Sequence, residues 1–200
     1  MRRVNLAIAA VAAMLLAVPA ANAGLIGSVT QIVLPTCGAN SYPFARFGDS
    51  HAYYGFANNG FENGSTGWIL SGGASVGRGN EPWLVNGAGS HSLTLPAGAS
   101  ATSPGFCINL LDPAVRAFAR GTTGGNLQVQ VIFHGLTGNL TGILNVAGLT
   151  GTNGWAPTSR VGSALAMPVL TAYAQIRVTA VSGSWSVDDA FVDPFINGAG

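Results

Sequence analysis

The sequence predicts an all-β chain folded as a two-sheet antiparallel β-sandwich. Three observations lead there. The chain of 200 residues holds 29 Gly and 10 Pro, which break it into short apolar runs and weaken long helices. Two of those runs alternate apolar and polar residues with period 2, as half-buried strands do. The stretches between runs are rich in Gly, Asn, Ser and Pro, the residues that turns use. A chain of this size buries roughly 70% of its unfolded surface, enough for one core. Eight or so short strands in one domain then mean a sandwich or barrel, and two sheets fit best.

Taken in order, residues 68–71 and 74–78 flank Gly72-Gly73 and predict a hairpin. Residues 92–95, the turn Pro96-Ala97-Gly98 and residues 101–103 predict strand, turn and strand. The next segment is ambiguous. Asp112 suits a helix N-cap and Pro113 the first helical position, whereas Val115, Ala117 and Ala119 alternate as in a strand. A strand is expected, because a helix ending at Arg120 would be barely two turns. Residues 127–133 put Leu127, Val129, Val131 and Phe133 on one face and Gln128 and Gln130 on the other. Residues 172–181 repeat the pattern, with Ala174, Ile176, Val178 and Ala180 inward and Tyr173, Gln175, Arg177 and Thr179 outward.

The ends of the sequence speak to compartment. Met1-Arg2-Arg3, an apolar run over 6–18 and Ala21-Asn22-Ala23 read as a secretory signal peptide, residues 1–23, cleaved after Ala23. The run is too short to cross a bilayer, and no later stretch is long and apolar enough. A secreted, extracellular chain without a membrane span is therefore expected. Charged residues make up 8% of the sequence, with no basic run, which leaves nothing to neutralise a phosphate backbone and excludes nucleic acid as a partner. Cys37 and Cys107 are the two cysteines. An even count in an exported chain favours a disulfide between them, worth about 4 kcal/mol by chain entropy; two buried thiols are the alternative.

Asn58-Asn59-Gly60-Phe61-Glu62, followed by Gly64, Gly67 and Trp68, resembles the opening of jelly-roll carbohydrate-binding modules of the CenC-like, galactose-binding-like group. Trp185-Ser186-Val187-Asp188-Asp189-Ala190-Phe191-Val192-Asp193-Pro194 resembles their closing strand, with paired aspartates in an apolar run. The chain from Cys37 to Pro194 is also similar to a set of uncharacterised secreted bacterial proteins. That likeness runs through Phe47-Gly48-Asp49, Ser71-Gly72-Gly73-Ala74, Gly79-Asn80-Glu81-Pro82, Ser103-Pro104 with Cys107, and residues 116–120, and brings no activity with it. The resemblance implies a jelly-roll β-sandwich over 58–195, an N-terminal extension over 24–57 packed on it, and a tail over 196–200. Ala190 stands where the modules carry a larger aliphatic residue, and the extension bearing Cys37 is an addition to their pattern.

The resemblance also implies a structural calcium held by Glu62 and one of Asp188 or Asp189, with backbone carbonyls. Alternation along the strand places Asp189 on the side of Val187 and Phe191. An unpaired carboxylate facing the core is costly, and a hard cation with oxygen ligands relieves it. The alternative is that Glu62 accepts backbone hydrogen bonds and Asp189 pairs with an arginine. Asp193, before Pro194, reads as a turn residue.

Sugar-binding sandwiches stack sugars on exposed flat rings. Trp83 and Trp155, in turn-like segments, are the candidate ligand-binding residues, with Tyr42, Tyr53 and Tyr54 behind them; Trp68 and Trp185 are expected in the core. The same rings could instead cover a sheet edge. Catalytic signals are weak, and no catalytic residue is assigned. Gly73-Ala74-Ser75-Val76-Gly77 matches G-x-S-x-G, which works only on a strand-to-helix elbow. His51, His91 and His134 lack metal-ligand spacing. Glu62 and Glu81 form a glycosidase pair only if folding brings them within about 5 to 9.5 Å. The expectation is a secreted non-catalytic sandwich that binds a polysaccharide or cell-wall glycan, through rings rather than charge. A structural or adhesive exoprotein without a small-ligand site is the alternative, and a hydrolase the third.

Overall fold

A computed structural model describes residues 34–108, 114–160 and 168–193. The signal peptide with its cleavage site, Asp112, Pro113, Pro194 and the tail lie outside the described residues. The first five strands are β1 (Tyr54–Gly55), β2 (Ile69–Ser71), β3 (Ser75–Arg78), β4 (His91–Leu95) and β5 (Ser100–Thr102). They are followed by β6 (Ala114–Gly121), β7 (Asn126–Gly135), β8 (Leu140–Thr150), β9 (Ala156–Pro157), β10 (Thr171–Ser182) and β11 (Trp185–Asp193). Sheet one has the order β3-β4-β11-β6-β9, with β1 pairing beside β4 on β11; sheet two has the order β2-β5-β10-β7-β8. All pairs are antiparallel. The result is a two-sheet jelly-roll sandwich.

The inner faces follow the sequence periodicity. Leu127, Val129, Val131 and Phe133 from β7 and Ala174, Ile176, Val178 and Ala180 from β10 meet Leu93, Leu95, Val115, Ala117, Ala119, Trp185 and Val187 of sheet one. The segment after Pro113 is the strand β6, as its alternation indicated. Trp68 and Trp185 are buried in this core, their indole N–H groups donating to the Asn58 and Ser182 carbonyls.

The expected hairpin at Gly72-Gly73 is corrected. β2 pairs with β5 in sheet two, whereas β3 pairs with β4 in sheet one. The glycines, with φ of 66° and 85°, carry the chain across the sandwich. Pro96-Ala97-Gly98 makes the parallel crossing from β4 to β5. The two corners pack together so closely that a Cβ on Gly72 would lie 2.9 Å from the Ala99 Cα. Each strand gains more by joining a wider sheet than by pairing with its sequence neighbour.

Strict alternation also fails along β11. Asp188 pairs with Phe118 and Phe191 with Arg116, so three residues of β11 advance against two of β6. Asp189, at φ 45°, lies in this bulge, which resets the inward face. Ala190 and Val192 then face the main core with Val187, while Phe191 faces the opposite side. Placing Asp189 alongside Val187 and Phe191 on one face is therefore incorrect. Asp193 is a strand residue, not a turn residue: it is buried and ion-paired with Arg160.

The segment before β1 packs on the outer face of sheet one through Phe44, Phe47 and Tyr53. Phe44 and Tyr53 are fully buried against Phe118 and Phe191, and Phe47 and Trp83 close over them. Asp49 accepts hydrogen bonds from the Tyr53 hydroxyl (2.7 Å) and the His51 N–H (3.0 Å) and pairs with Arg116. The Arg116 guanidinium lies 4.6 Å from the Phe44 ring centroid. Burial alone would raise the Asp49 carboxyl, but these hydrogen bonds hold it well below the usual carboxylate range. The Cys37–Cys107 disulfide ties the segment down.

Candidate functional site

One face of sheet one lies in the core and the other is covered over Phe118 and Phe191, so the outer face of sheet two is the broader surface left. Register builds it. Ile69, Thr102, Arg177, Gln130 and Asn145 stand side by side across all five strands. Ser71, Ser100, Thr179 and Gln128 form the adjacent row. Apart from Ile69, which is exposed, these are the polar half of the alternation whose apolar half fills the core. Hydrogen bonds hold them in place: Gln130 Nε2 donates to Asn145 Oδ1 at 2.8 Å, Arg177 Nε to Thr102 Oγ1 at 3.1 Å and Gln175 Nε2 to the Ser103 carbonyl at 2.7 Å. Amides, hydroxyls and one guanidinium on a rigid sheet can exchange hydrogen bonds with sugar hydroxyls at low ordering cost.

The tryptophans chosen from sequence lie elsewhere. Trp83 is half-buried, its ring 4.8 Å from Phe47 and 5.3 Å from Phe118, as part of the cover on sheet one. Trp155 is half-buried on the same side, beneath the Arg120 guanidinium. Tyr53 and Tyr54 are buried, and Tyr42 is 59% exposed. Beside Trp155, a 270 Å³ recess includes Arg120, Asn153, Ser184 and Ser186 in its lining.

The opening and closing motifs meet through Asn59, Gly60, Asp189 and Ala190. Asn59 Nδ2 donates to the Ala190 carbonyl at 2.9 Å, and the Ala190 N–H returns to the Asn59 carbonyl at 3.1 Å. A Cβ on Gly60 would fall 2.5 Å from Asp189 Oδ1, so glycine makes this approach possible. Glu62 instead turns to residues 90–91. It accepts from the Ser90 and His91 N–H groups at 2.8 and 2.9 Å, and these bonds outweigh burial to lower its carboxyl below the ordinary value.

The carboxylate that joins Asp188 and Asp189 is Glu81, which sequence reasoning noted within a motif and as a possible partner of Glu62, not of the aspartates. All three are buried. Asp188 accepts from the N–H groups of Glu81 and Asp189 at 3.0 and 2.9 Å, and Glu81 accepts from those of Trp83 and Val85 at 2.5 and 2.7 Å. Burial, then repulsion from Asp189, pushes Asp188 up to about 8. Burial and the Glu81 charge push Asp189 up to about 7. The donor set is hard oxygen, which suits calcium, and oxygens of Asp188 and Glu81 also accept from backbone N–H groups. Among the described residues no three His, Cys, Asp or Glu side chains are arranged to hold a metal ion. Glu81, Asp188 and Asp189 thus form a buried carboxylate cluster around the β11 bulge, with Glu62 turned away to residues 90–91.

Among the described residues, the histidine beside Glu62 does not complete a catalytic triad. Ser90 Oγ and Glu62 Oε2 both approach the same ring nitrogen, Nδ1 of His91, at 3.0 and 3.2 Å. A triad needs acid and nucleophile on opposite ring nitrogens. Ser75 of the G-x-S-x-G match begins β3, without the helix that an elbow requires.

No protein-family model matches the chain, and no curated protein sequence does. Among solved structures it is similar to the enzymatically active domain of tailspike protein 4 of bacteriophage CBA120. That match has 16% identity and a TM-score of 0.52, and covers 68% of this chain and 21% of that one. It is also similar to the CBM22-1 xylan-binding domain of Paenibacillus barcinonensis Xyn10C, at 15% identity and a TM-score of 0.47, over 68% of this chain and 90% of that one. A third similarity is to TmCBM61 in complex with β-1,4-galactotriose, at 20% identity and a TM-score of 0.44, over 68% and 95% of the two chains. The chain spans about a fifth of the tailspike chain. What is shared is the fold.

Proposed function

We propose that this chain is an exported glycan-binding β-sandwich that holds a polysaccharide on the outer face of sheet two and carries no catalytic centre of its own. The observation behind it is the asymmetry of the sandwich. The outer face of sheet one is covered over Phe118 and Phe191 and is left with the smaller recess at Arg120 and Ser186, whereas sheet two presents hydrogen-bonding side chains in register across its strands. Such a surface is flat and preordered, as binding of an extended polymer requires. The names of the structural neighbours, which include xylan-binding domains, agree with this reading.

Affinity electrophoresis in gels containing soluble polysaccharides tests it. Retardation of the wild type, reduced in folded Gln130→Ala and Asn145→Ala variants, is the expected result. Retardation unaffected by both variants would place binding elsewhere. A structural or adhesive exoprotein is the second reading. It is favoured by an apolar groove of 410 Å³ at one end of sheet two, lined by Leu34, Leu136 and Leu170 among others.

A further inference from the structure

We propose that the polysaccharide is acidic, built of or decorated with uronic acids, and that Arg177 binds its carboxylate; this rests on the binding face described above. Sheet two carries one formally charged side chain. Its strands contain no Asp, Glu or Lys, and their single Arg is Arg177. That residue lies near the middle of β10, itself the middle strand of the five. The cation thus occupies the centre of the face.

Among the described residues its surroundings hold no counter-ion. Arg177 is half-buried, its Nε is used by Thr102 Oγ1, and its flanking residue on β7 is the neutral Gln130. Among the described residues no carboxylate pairs with it. The described acids are engaged elsewhere. Asp49 is paired with Arg116, Asp193 with Arg160, and Glu62 with residues 90–91. Glu81, Asp188 and Asp189 are buried around the β11 bulge. A half-desolvated guanidinium without an anion is unfavourable, whereas its two terminal amines form a planar fork that matches a carboxylate in bidentate fashion.

The neighbours suit the rest of such a ligand. Thr179, Gln128, Gln130 and Asn145 offer donors and acceptors to hydroxyls, and none repels an anion. With strands about 4.8 Å apart, the row from Ile69 to Asn145 spans about 19 Å, a length suited to a chain rather than a single sugar. This revises the expectation that rings alone carry affinity.

The test is isothermal titration of the full exported chain with polygalacturonate and with the same polymer fully methyl-esterified, which removes the charge and keeps the backbone. Dextran sulfate serves as a second polyanion. The free acid should bind on the order of tenfold more tightly than the ester, the size of a lost charged hydrogen bond, and more weakly as salt rises. Arg177→Gln should erase the difference, and Arg177→Lys, which keeps the charge without the fork, should keep part of it. Gln130→Glu, which supplies an internal anion beside the guanidinium, should also erase it and covers the case of a misfolded Arg177 variant. Equal binding of acid and ester, or a preference that survives Arg177→Gln and Gln130→Glu, overturns the proposal and leaves glycan binding standing. Dextran sulfate binding as tightly as polygalacturonate would show attraction to any polyanion and overturns it as well. Absence of binding to these polymers and to neutral xylan and galactan removes both the proposal and the function on which it rests.

Discussion

Truncation of Phe44 to alanine asks whether residues 34–57 form a true second core and leave sheet two as the binding face. Phe44 has 0% exposure. Its ring is edge-on to Tyr53 at 5.0 Å and to Phe191 at 5.7 Å, and stacked on Phe118 at 5.2 Å. A phenylalanine buries about 150–250 Å², worth about 4–6 kcal/mol at 25 cal/mol per Å². Alanine recovers part of this, and relaxation of the cavity recovers more, so about 3–5 kcal/mol is the expected cost. Loss of the Arg116 contact over the ring adds about 1 kcal/mol. Urea unfolding followed by tryptophan fluorescence measures the change as a shift in midpoint at constant slope. Glycan retention of the folded variant should be unchanged, because the ring lies behind the other sheet. A cost below about 1 kcal/mol would refute the second core. Lost retention in a folded variant would refute the assignment of the face.

Three further outcomes follow from the same structure. Replacing both Cys37 and Cys107 by serine opens a cross-link between residues 70 apart in sequence and should cost about 4 kcal/mol, read from the unfolding midpoint without reductant. Asp188 and Asp189, raised from 3.8 to about 8 and about 7, hold protons in the folded chain that the unfolded chain releases. Their contribution is full below the unfolded value and is lost as pH rises through 7 and 8. Melting temperature should therefore fall between pH 5 and pH 8, less steeply in Asp189→Asn, and chelator should not alter it; a chelator-dependent drop reversed by calcium would instead mean that an ion fills the cluster. Trp83→Ala should destabilise by about 2–3 kcal/mol, since the ring packs half-buried on Phe47 and Phe118, without loss of glycan retention.

Much of this fold was legible because two long strands follow period 2 over most of their length: β7 and β10 bury the residues that their alternation selects, with Ile132 buried in addition. Where reading failed, the cause was tertiary. Nothing local distinguishes a Gly-Gly hairpin from a Gly-Gly corner, since the difference lies in which partner each flanking strand finds. The bulge at Asp189 places a non-glycine residue at positive φ, a cost that packing against Asn59 and Gly60 offsets and that no sequence pattern announces. Glu62 and Glu81 are both acids within motifs, and only folding brings Glu81 to the aspartates. Arg177 was legible as an outward residue of β10, but its isolation from every described acid required the whole structure.

The binding face is tested most directly by a nitrogen-edited NMR titration of the exported chain with an oligogalacturonide. Shifts should concentrate at Thr102, Gln128, Gln130, Asn145, Arg177 and Thr179, across the strands of sheet two. Shifts centred on Tyr42, Trp83 or Trp155 on the covered side, with sheet two silent, would contradict it.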